Sequence, residues 1–339
     1  MAMKTVLVTG ITGFIAKQVA LEFLKAGYHV RGTVRTAAKG EQVRQTLAAH
    51  TDVSNLDFAE TDLLSDDGWD MAAEDCDCVA HVASPVPLAQ PKDENELIRP
   101  AVEGTLRVLR AAHKAGAKRF VHTSSVAAIA AGHDKTVLDE NDWSDLDHPR
   151  SSPYVKSKTL AERAARDFVV SEAGDLHYAS INPSYVFGPP LDEDISASLE
   201  VIGMLLAGKY PGAPRLHFSV VDVRDVARMH VLAMETNEPS GGRYIAASDS
   251  LWIIEMARVL RKALGSDARK APKFVLPDFV VRIVAKFDPA VRSVIPDLGL
   301  ERRYDTTRTR KALGIEFIAA EEAVVATGRR LIELGLVGD

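Results

Sequence analysis

Cysteine is nearly absent from this 339-residue chain: Cys76 and Cys78, one residue apart, are the only two. Two thiols make no disulfide framework, and a lone Cys-x-Cys lacks the partners that a tetrahedral zinc site needs at matching spacing. They read as ordinary thiols entering a strand, the usual fate of free cysteine. The ten histidines are scattered with no His-Glu-x-x-His or comparable cluster, so no metal is expected. No run of 18 apolar residues occurs, which argues against a membrane-spanning helix. The start, Met1-Ala2-Met3-Lys4, passes straight into strand-like Thr5-Val6-Leu7-Val8 without the regions of a secretion signal. The expectation is a reduced, soluble, cytoplasmic protein that does not engage a membrane.

Surplus basic charge is missing too. Lys and Arg number 41 against 47 Asp and Glu, a net charge of −6, which argues against a broadly basic nucleic-acid binder. With 22 Gly and 16 Pro the chain is neither collagen-like nor a disordered Pro/Gly tract.

What is present is alternation. Apolar runs at Thr5–Val8, His29–Arg35, Leu56–Glu60, Cys78–Ala83, Arg119–Thr123 and His177–Asn182 read as strands, separated by helical spacing over Phe14–Ala26, Asn95–Ala115 and Tyr154–Glu172. Short connections between alternating strands and helices imply an α/β fold, a Rossmann-type doubly wound parallel sheet. After about Pro183 the pattern loosens. The expectation is a cofactor domain over 1–187 with a return segment at about 216–247. A smaller, mostly C-terminal substrate lobe, discontinuous in sequence, would take 188–215 and 248–339.

The first strand is followed by Thr9-Gly10-Ile11-Thr12-Gly13-Phe14-Ile15-Ala16. Gly10 permits a tight turn, Gly13 lets a pyrophosphate approach the helix N-terminus, and Ala16 allows close packing of helix on sheet. Thr12, Phe14 and Ile15 belong to the same dinucleotide-binding turn. The second strand ends in Thr33-Val34-Arg35, with Lys39 four residues on and no acid before Glu41. Folds that select NAD usually place a carboxylate there for the ribose 2′-hydroxyl. Two cations without an acid suit a 2′-phosphate, so NADPH/NADP+ is the expected cofactor.

Tyr154 and Lys158, four apart at the start of a helix, leave the same face. A free phenol has a pKa near 10, and an ammonium one turn away is expected to lower it. Thr123-Ser124-Ser125 puts hydroxyls at a strand end on the rim where the cofactor would lie, able to bond a substrate carbonyl. Arg302, Arg303, Arg308 and Arg310 read most simply as surface charge, with a grip on an anionic substrate as the lesser alternative.

Taken in order, these stretches resemble the extended short-chain dehydrogenase/reductase family. Within it they resemble the dihydroflavonol-4-reductase-like branch that includes methylglyoxal and aldehyde reductases. The resemblance also rests on Asp62-Leu63, His81-Val82-Ala83-Ser84-Pro85, Gly104-Thr105, Asn182-Pro183-Ser184-Tyr185-Val186-Phe187-Gly188-Pro189 and Asp222-Val223-Arg224-Asp225-Val226-Ala227. It implies Tyr154 as proton donor, Lys158 on the nicotinamide ribose and Ser125 on the carbonyl. Asp62 and Leu63 would contact the adenine, and Val82, Ala83, Ser84 and Thr123 would line the trough. Pro183, Tyr185 and Val186 would hold the nicotinamide end, and Ser198 would touch the 2′-phosphate side or the lobe. Val86, Val126, Tyr185 and Phe187 would form an apolar substrate pocket.

Two departures stand out: Glu103 replaces an Asn common in relatives, and Ala130 stands where plant flavonoid reductases carry an Asn that grips the polyphenol. The expected activity is NADPH-dependent reduction of small or aromatic aldehydes and ketones by a monomer or homodimer. The alternatives are a nucleotide-sugar epimerase or dehydratase of the same fold, and a non-catalytic NADP-sensing protein.

Overall fold

Val6, Leu7 and Val8 follow one another with no polar residue between, and none keeps any contact with water. An unbroken apolar run of this kind belongs to a strand covered on both faces. The computed structural model, which describes residues 3–84, 93–288, 291–292 and 294–337, places this run as β1 (Thr5–Val8) inside a seven-stranded sheet. Its partners are β2 (His29–Val34), β3 (Leu56–Glu60), β4 (Cys78–His81), β5 (Arg119–Thr123), β7 (His177–Pro183) and β10 (Gly242–Ala246). The order is β10-β7-β5-β4-β1-β2-β3, and every pairing is parallel. The sequence reading of a Rossmann-type α/β fold is the observed one.

The helices divide between the two faces. On one face lie α3 (Trp69–Ala73), α4 (Asn95–Lys114) and α6 (Pro153–Glu172), burying Val108, Leu109, Ala165 and Phe168 against Leu7, Val79 and Phe120. On the other, α1 (Phe14–Lys25) packs beside α8 (Val223–Glu235). The α1 face continues without a break into Phe187, Leu199, Ile202, Leu206 and Val324. The later part of the chain thus shares one apolar core with the cofactor layer.

A second, three-stranded sheet sits on that side: β8 (Tyr185–Phe187) runs parallel to β9 (His217–Asp222), and β11 (Asp249–Trp252) antiparallel to β9. The chain rejoins the main layer from Val223 onward, through α8 and β10. A third pairing joins β6 (Val137–Leu138) to β12 (Arg303–Tyr304). The remaining helices named below are α2 (Ala37–Ala48), α5 (Ala127–Ala130) and α7 (Ala197–Ala207). Among the described residues no helix is long and apolar enough to cross a membrane. Cys76 and Cys78 are both buried and unpaired, and burial raises both thiol pKa values, to about 11 and about 12.

Candidate active site

Gly10 has φ +63°, the left-handed region, and a Cβ there would lie 2.9 Å from the Ala83 Cβ. Only glycine lets the β1 turn come this close to the end of β4. The turn is fixed by Gly10 N–H donating to Thr33 Oγ1 at 2.9 Å, and by Thr9 Oγ1 accepting from both Val82 N–H and Ala83 N–H at 3.0 Å. Gly13 caps α1 with no side-chain bond, and no acid stands in its first turn. The free N–H groups and positive end of α1 therefore face the turn, as binding a pyrophosphate requires.

Beside this turn opens a cavity of about 800 Å³. Thr12, Lys17, Arg35, Thr36, Lys39 and Gln42 line it from the sheet side; Asp192, Glu193 and Asp194 face them from the loop after β8. Arg35 and Lys39 are exposed, and among the described residues neither has an ion-pair partner. Lys17, almost wholly buried, is paired with Asp192 and lies 3.8 Å from Asp194. Glu60, opposite Val34 on the neighbouring strand, accepts from Ala37 N–H at 3.0 Å. These donors fit a dinucleotide with a phosphate on its adenosine ribose. Lys17 and the acidic loop were not foreseen; a single lysine in a helix and three acids 175 positions away carry no local signal.

At the opposite rim Ser152 caps α6, accepting from Val155 N–H at 3.4 Å, with Pro153 in the first turn. This start sets Tyr154 and Lys158 on one face, and Lys158 is buried. Ser125 Oγ accepts from Ala127 N–H at 3.1 Å and donates to the Pro183 carbonyl at 3.5 Å. Burial raises the Tyr154 pKa and the Ser125 hydroxyl pulls it back only in part. The lowering expected from Lys158 is not what governs the free protein, because desolvation disfavours the phenolate more. Burial likewise lowers Lys158 to about 8, against an upward pull from Glu162.

Glu162 is the member of this face that motif reading passed over. Fully buried, it accepts from Ser124 Oγ at 2.6 Å, Asn182 Nδ2 at 2.7 Å, Ser180 Oγ at 3.0 Å, Arg243 Nε at 2.7 Å and Arg166 Nε at 3.2 Å. Burial pushes its carboxyl up, but Arg243, Arg166 and these bonds more than reverse that, so it stays ionised. Asn182 Nδ2 also reaches the Ser125 carbonyl at 3.2 Å. Its place one turn beyond Lys158 was the available clue; its partners on β5, β7 and β10 were not legible locally.

The other expected residues disperse in part. Asp62 and Leu63 lie at the end of β3, where Gly104 leaves room for Leu63. The Thr123 hydroxyl turns to His230 Nε2 at 2.7 Å, and His230 Nδ1–H donates to the Val226 carbonyl at 2.8 Å. Val186 is largely buried, while Tyr185 is 42% exposed and stacks on Phe218 with centroids 4.0 Å apart. Phe187 keeps no exposed surface and packs in the core, so it has no face to offer a substrate. Ser198 shares a 3.0 Å hydrogen bond with Ser196 at the start of α7 and does not line the ribose-end cavity. Val126 and Tyr304 are partly buried against a small cluster that includes Ile129, Ala130 and Leu138. Val86 falls in 85–92, outside the described residues. Glu103 is held on the surface by Arg99 at 3.2 Å and Arg107 at 3.8 Å. Arg302, read from sequence as surface charge, is mostly buried instead.

Comparison with known proteins adds the following. The profile described as the NAD dependent epimerase/dehydratase family matches residues 6–247. Cinnamoyl-CoA reductase 2 of Arabidopsis thaliana is 34% identical over 98% of this chain and 93% of its own. Dihydroflavonol 4-reductase of the same plant is 35% identical over 76% of this chain and 69% of its own. Among solved structures, Gre2 in complex with NADPH from Candida albicans superposes with a TM-score of 0.82 at 28% identity, covering 98% of this chain and 99% of that one.

Proposed function

The chain belongs to the NAD dependent epimerase/dehydratase family, in its extended short-chain dehydrogenase/reductase branch with the dihydroflavonol and cinnamoyl-CoA reductases, and from that premise we propose that it is an NADPH-dependent reductase of aldehydes and ketones. The observation that carries the reading is the Tyr154 phenol standing near enough to Ser125 for that hydroxyl to pull its pKa down, with buried Lys158 one turn further on the same helix.

NADPH held by the Gly10–Gly13 turn, Arg35 and Lys39 would supply the hydride for the carbonyl carbon. Ser125 Oγ, held by Ala127 N–H, presents its hydroxyl to the carbonyl oxygen and fixes its direction. Tyr154 Oη delivers the proton to that oxygen, so that C=O becomes CH–OH with one hydride and one proton. Its raised pKa suits this direction, since the phenol stays protonated at neutral pH and has its proton to give. Lys158 is the proton reservoir behind it and a donor for the nicotinamide ribose. Arg35 and Lys39 receive the ribose phosphate. In support of NADPH, the Gre2 structure holds it, and the residues around the 800 Å³ cavity fit the extra phosphate. Small and aromatic carbonyls are the proposed substrates, with Val126 and Tyr185 as apolar walls.

An epimerase or dehydratase reading has less support, because Val126 and Ala127 beside Ser125 offer no second acid or base. A sensor without turnover would need the cofactor cradle but not the Ser125–Tyr154 pair. Incubation with NADPH and a panel of activated aldehydes and ketones, following loss of the reduced cofactor, tests the reading. Consumption is expected; NADPH binding with no consumption anywhere in the panel would overturn it.

A further inference from the structure

Arg302 is held by its backbone at the edge of the second sheet. Its N–H donates to His217 Nδ1 at 3.3 Å, and its carbonyl accepts from Ser219 Oγ at 3.2 Å and Ser250 Oγ at 3.5 Å. The next two residues form β12 alongside β6, and Tyr304 there packs against the same small cluster, Ile129, Leu138 and Ile245, as Val126, the neighbour of Ser125. The guanidinium thus belongs to a segment tied to the second sheet and to β6, whose next residues share a cluster with the neighbour of Ser125.

Its environment is unusual for an arginine. The side chain is 19% exposed, and Nη2 has neither solvent contact nor any acceptor among the described residues. Its one carboxylate neighbour, Asp297, stands 3.9 Å from Nη1, beyond hydrogen-bond reach, and is itself half exposed. Buried N–H groups are nearly always paired, and an arginine cannot escape the cost by losing its charge. The charge is felt where the reaction would occur. At Tyr185 the charges of Asp297 and Tyr154 push the phenol pKa up and Arg302 pulls it down. Tyr304 is raised by burial and is likewise pulled down by Arg302. Tyr185 therefore stands within electrostatic reach of both the reacting phenol and the guanidinium.

We infer that Arg302 receives a carboxylate carried by the substrate, so that this chain favours carbonyl compounds bearing an acid group over their neutral counterparts. The inference rests on the reductase reading above and adds the substrate class to it. A guanidinium offers charged N–H donors that match a carboxylate, and Asp297, 3.9 Å from Nη1 and half exposed, leaves the solvent-facing side of the group without a hydrogen-bonded acceptor among the described residues.

The test compares 4-carboxybenzaldehyde with its methyl ester and with benzaldehyde. In the unaltered protein the acid is expected to show the highest kcat/KM. Arg302→Met should lower kcat/KM for the acid about tenfold or more, largely through KM, and change the two neutral aldehydes less than about threefold. Arg302→Lys should restore part of the loss. Calorimetric binding of 4-(hydroxymethyl)benzoate should weaken in parallel, giving a readout independent of turnover. Equal losses for acid and ester, or a wild-type preference for the ester, would overturn the inference and leave the reductase reading standing. No turnover of any of the three, with NADPH still bound, would remove both.

Discussion

Arg243 Nε donates to Glu162 Oε1 at 2.7 Å, with 4% of one side chain and none of the other exposed to water. The guanidinium also donates to the carbonyls of Glu140 at 3.1 Å and Ala128 at 3.1 Å and lies 3.8 Å over the Trp143 ring. This pair ties β10 and α6 to the loop ahead of α6, and through Ser124 and Asn182 it fixes the rim that carries Ser125. Glu162→Gln leaves the buried Arg243, and the partly exposed Arg166, without their counter-charge, a loss of about 3–5 kcal/mol by the usual cost of breaking a buried pair. Denaturant titration should show that loss, and an unchanged midpoint would contradict the assigned role.

The same substitution separates electrostatics from packing. Glu162 pulls the Lys158 pKa upward against burial, which holds it at about 8. Removing that negative charge favours the neutral amine, so the alkaline limb of kcat/KM should move to lower pH. Glu162→Asp should restore it. A limb that stays in place in Glu162→Gln would show that Lys158 does not respond to this carboxylate.

Tyr154→Phe should bind NADPH as before and lose about 10²–10⁴ in kcat, the usual range for a positioned proton donor. Binding is read by fluorescence of the reduced nicotinamide and turnover by its disappearance. Near-normal turnover would remove Tyr154 from the proposed chemistry.

Arg35→Ala should weaken NADPH binding about 10–100-fold, the worth of one charge-assisted bond to a phosphate, and leave NADH nearly unchanged. The comparison of Kd for the two cofactors checks it. A parallel loss for both would place Arg35 away from the ribose phosphate.

Acid should destabilise this fold early. Burial lowers His122 to about 3, His230 to about 4 and His81 well below its ordinary value. A histidine with a depressed folded-state pKa takes up its proton only on unfolding. Its contribution is therefore complete above about pH 6.5 and lost as pH falls toward the folded value. With three such groups the slope near pH 5 approaches about 4 kcal/mol per pH unit. Equal denaturation midpoints at pH 7 and pH 5 would contradict this.

Much of the site was legible because its geometry is local. Gly10 and Gly13 three apart after a strand, and Tyr154 and Lys158 four apart on a helix, fix their own relative placement through backbone periodicity. The missing acid after Val34 was equally local. The sequence could not say that the Thr123 hydroxyl turns to His230, 107 positions away, or that Phe187 has no face outside the core. Strand alternation gives the face of a side chain only when the sheet it joins is known, and β8 joined the second sheet.

Taken alone, then, the sequence determined an α/β chain, and it let the glycine turn after β1, the Arg35 and Lys39 cations and the Tyr154–Lys158 face be read as a candidate site, because each of these depends on neighbours within a turn or two. Tertiary structure alone decided which charges are paired and which are left free. Glu162 finds Arg243 81 positions on, Lys17 finds Asp192 175 positions on, and Arg302 keeps a buried N–H without an acceptor among the described residues. Ion pairing and desolvation depend on distance and burial in space, quantities that residue order does not carry.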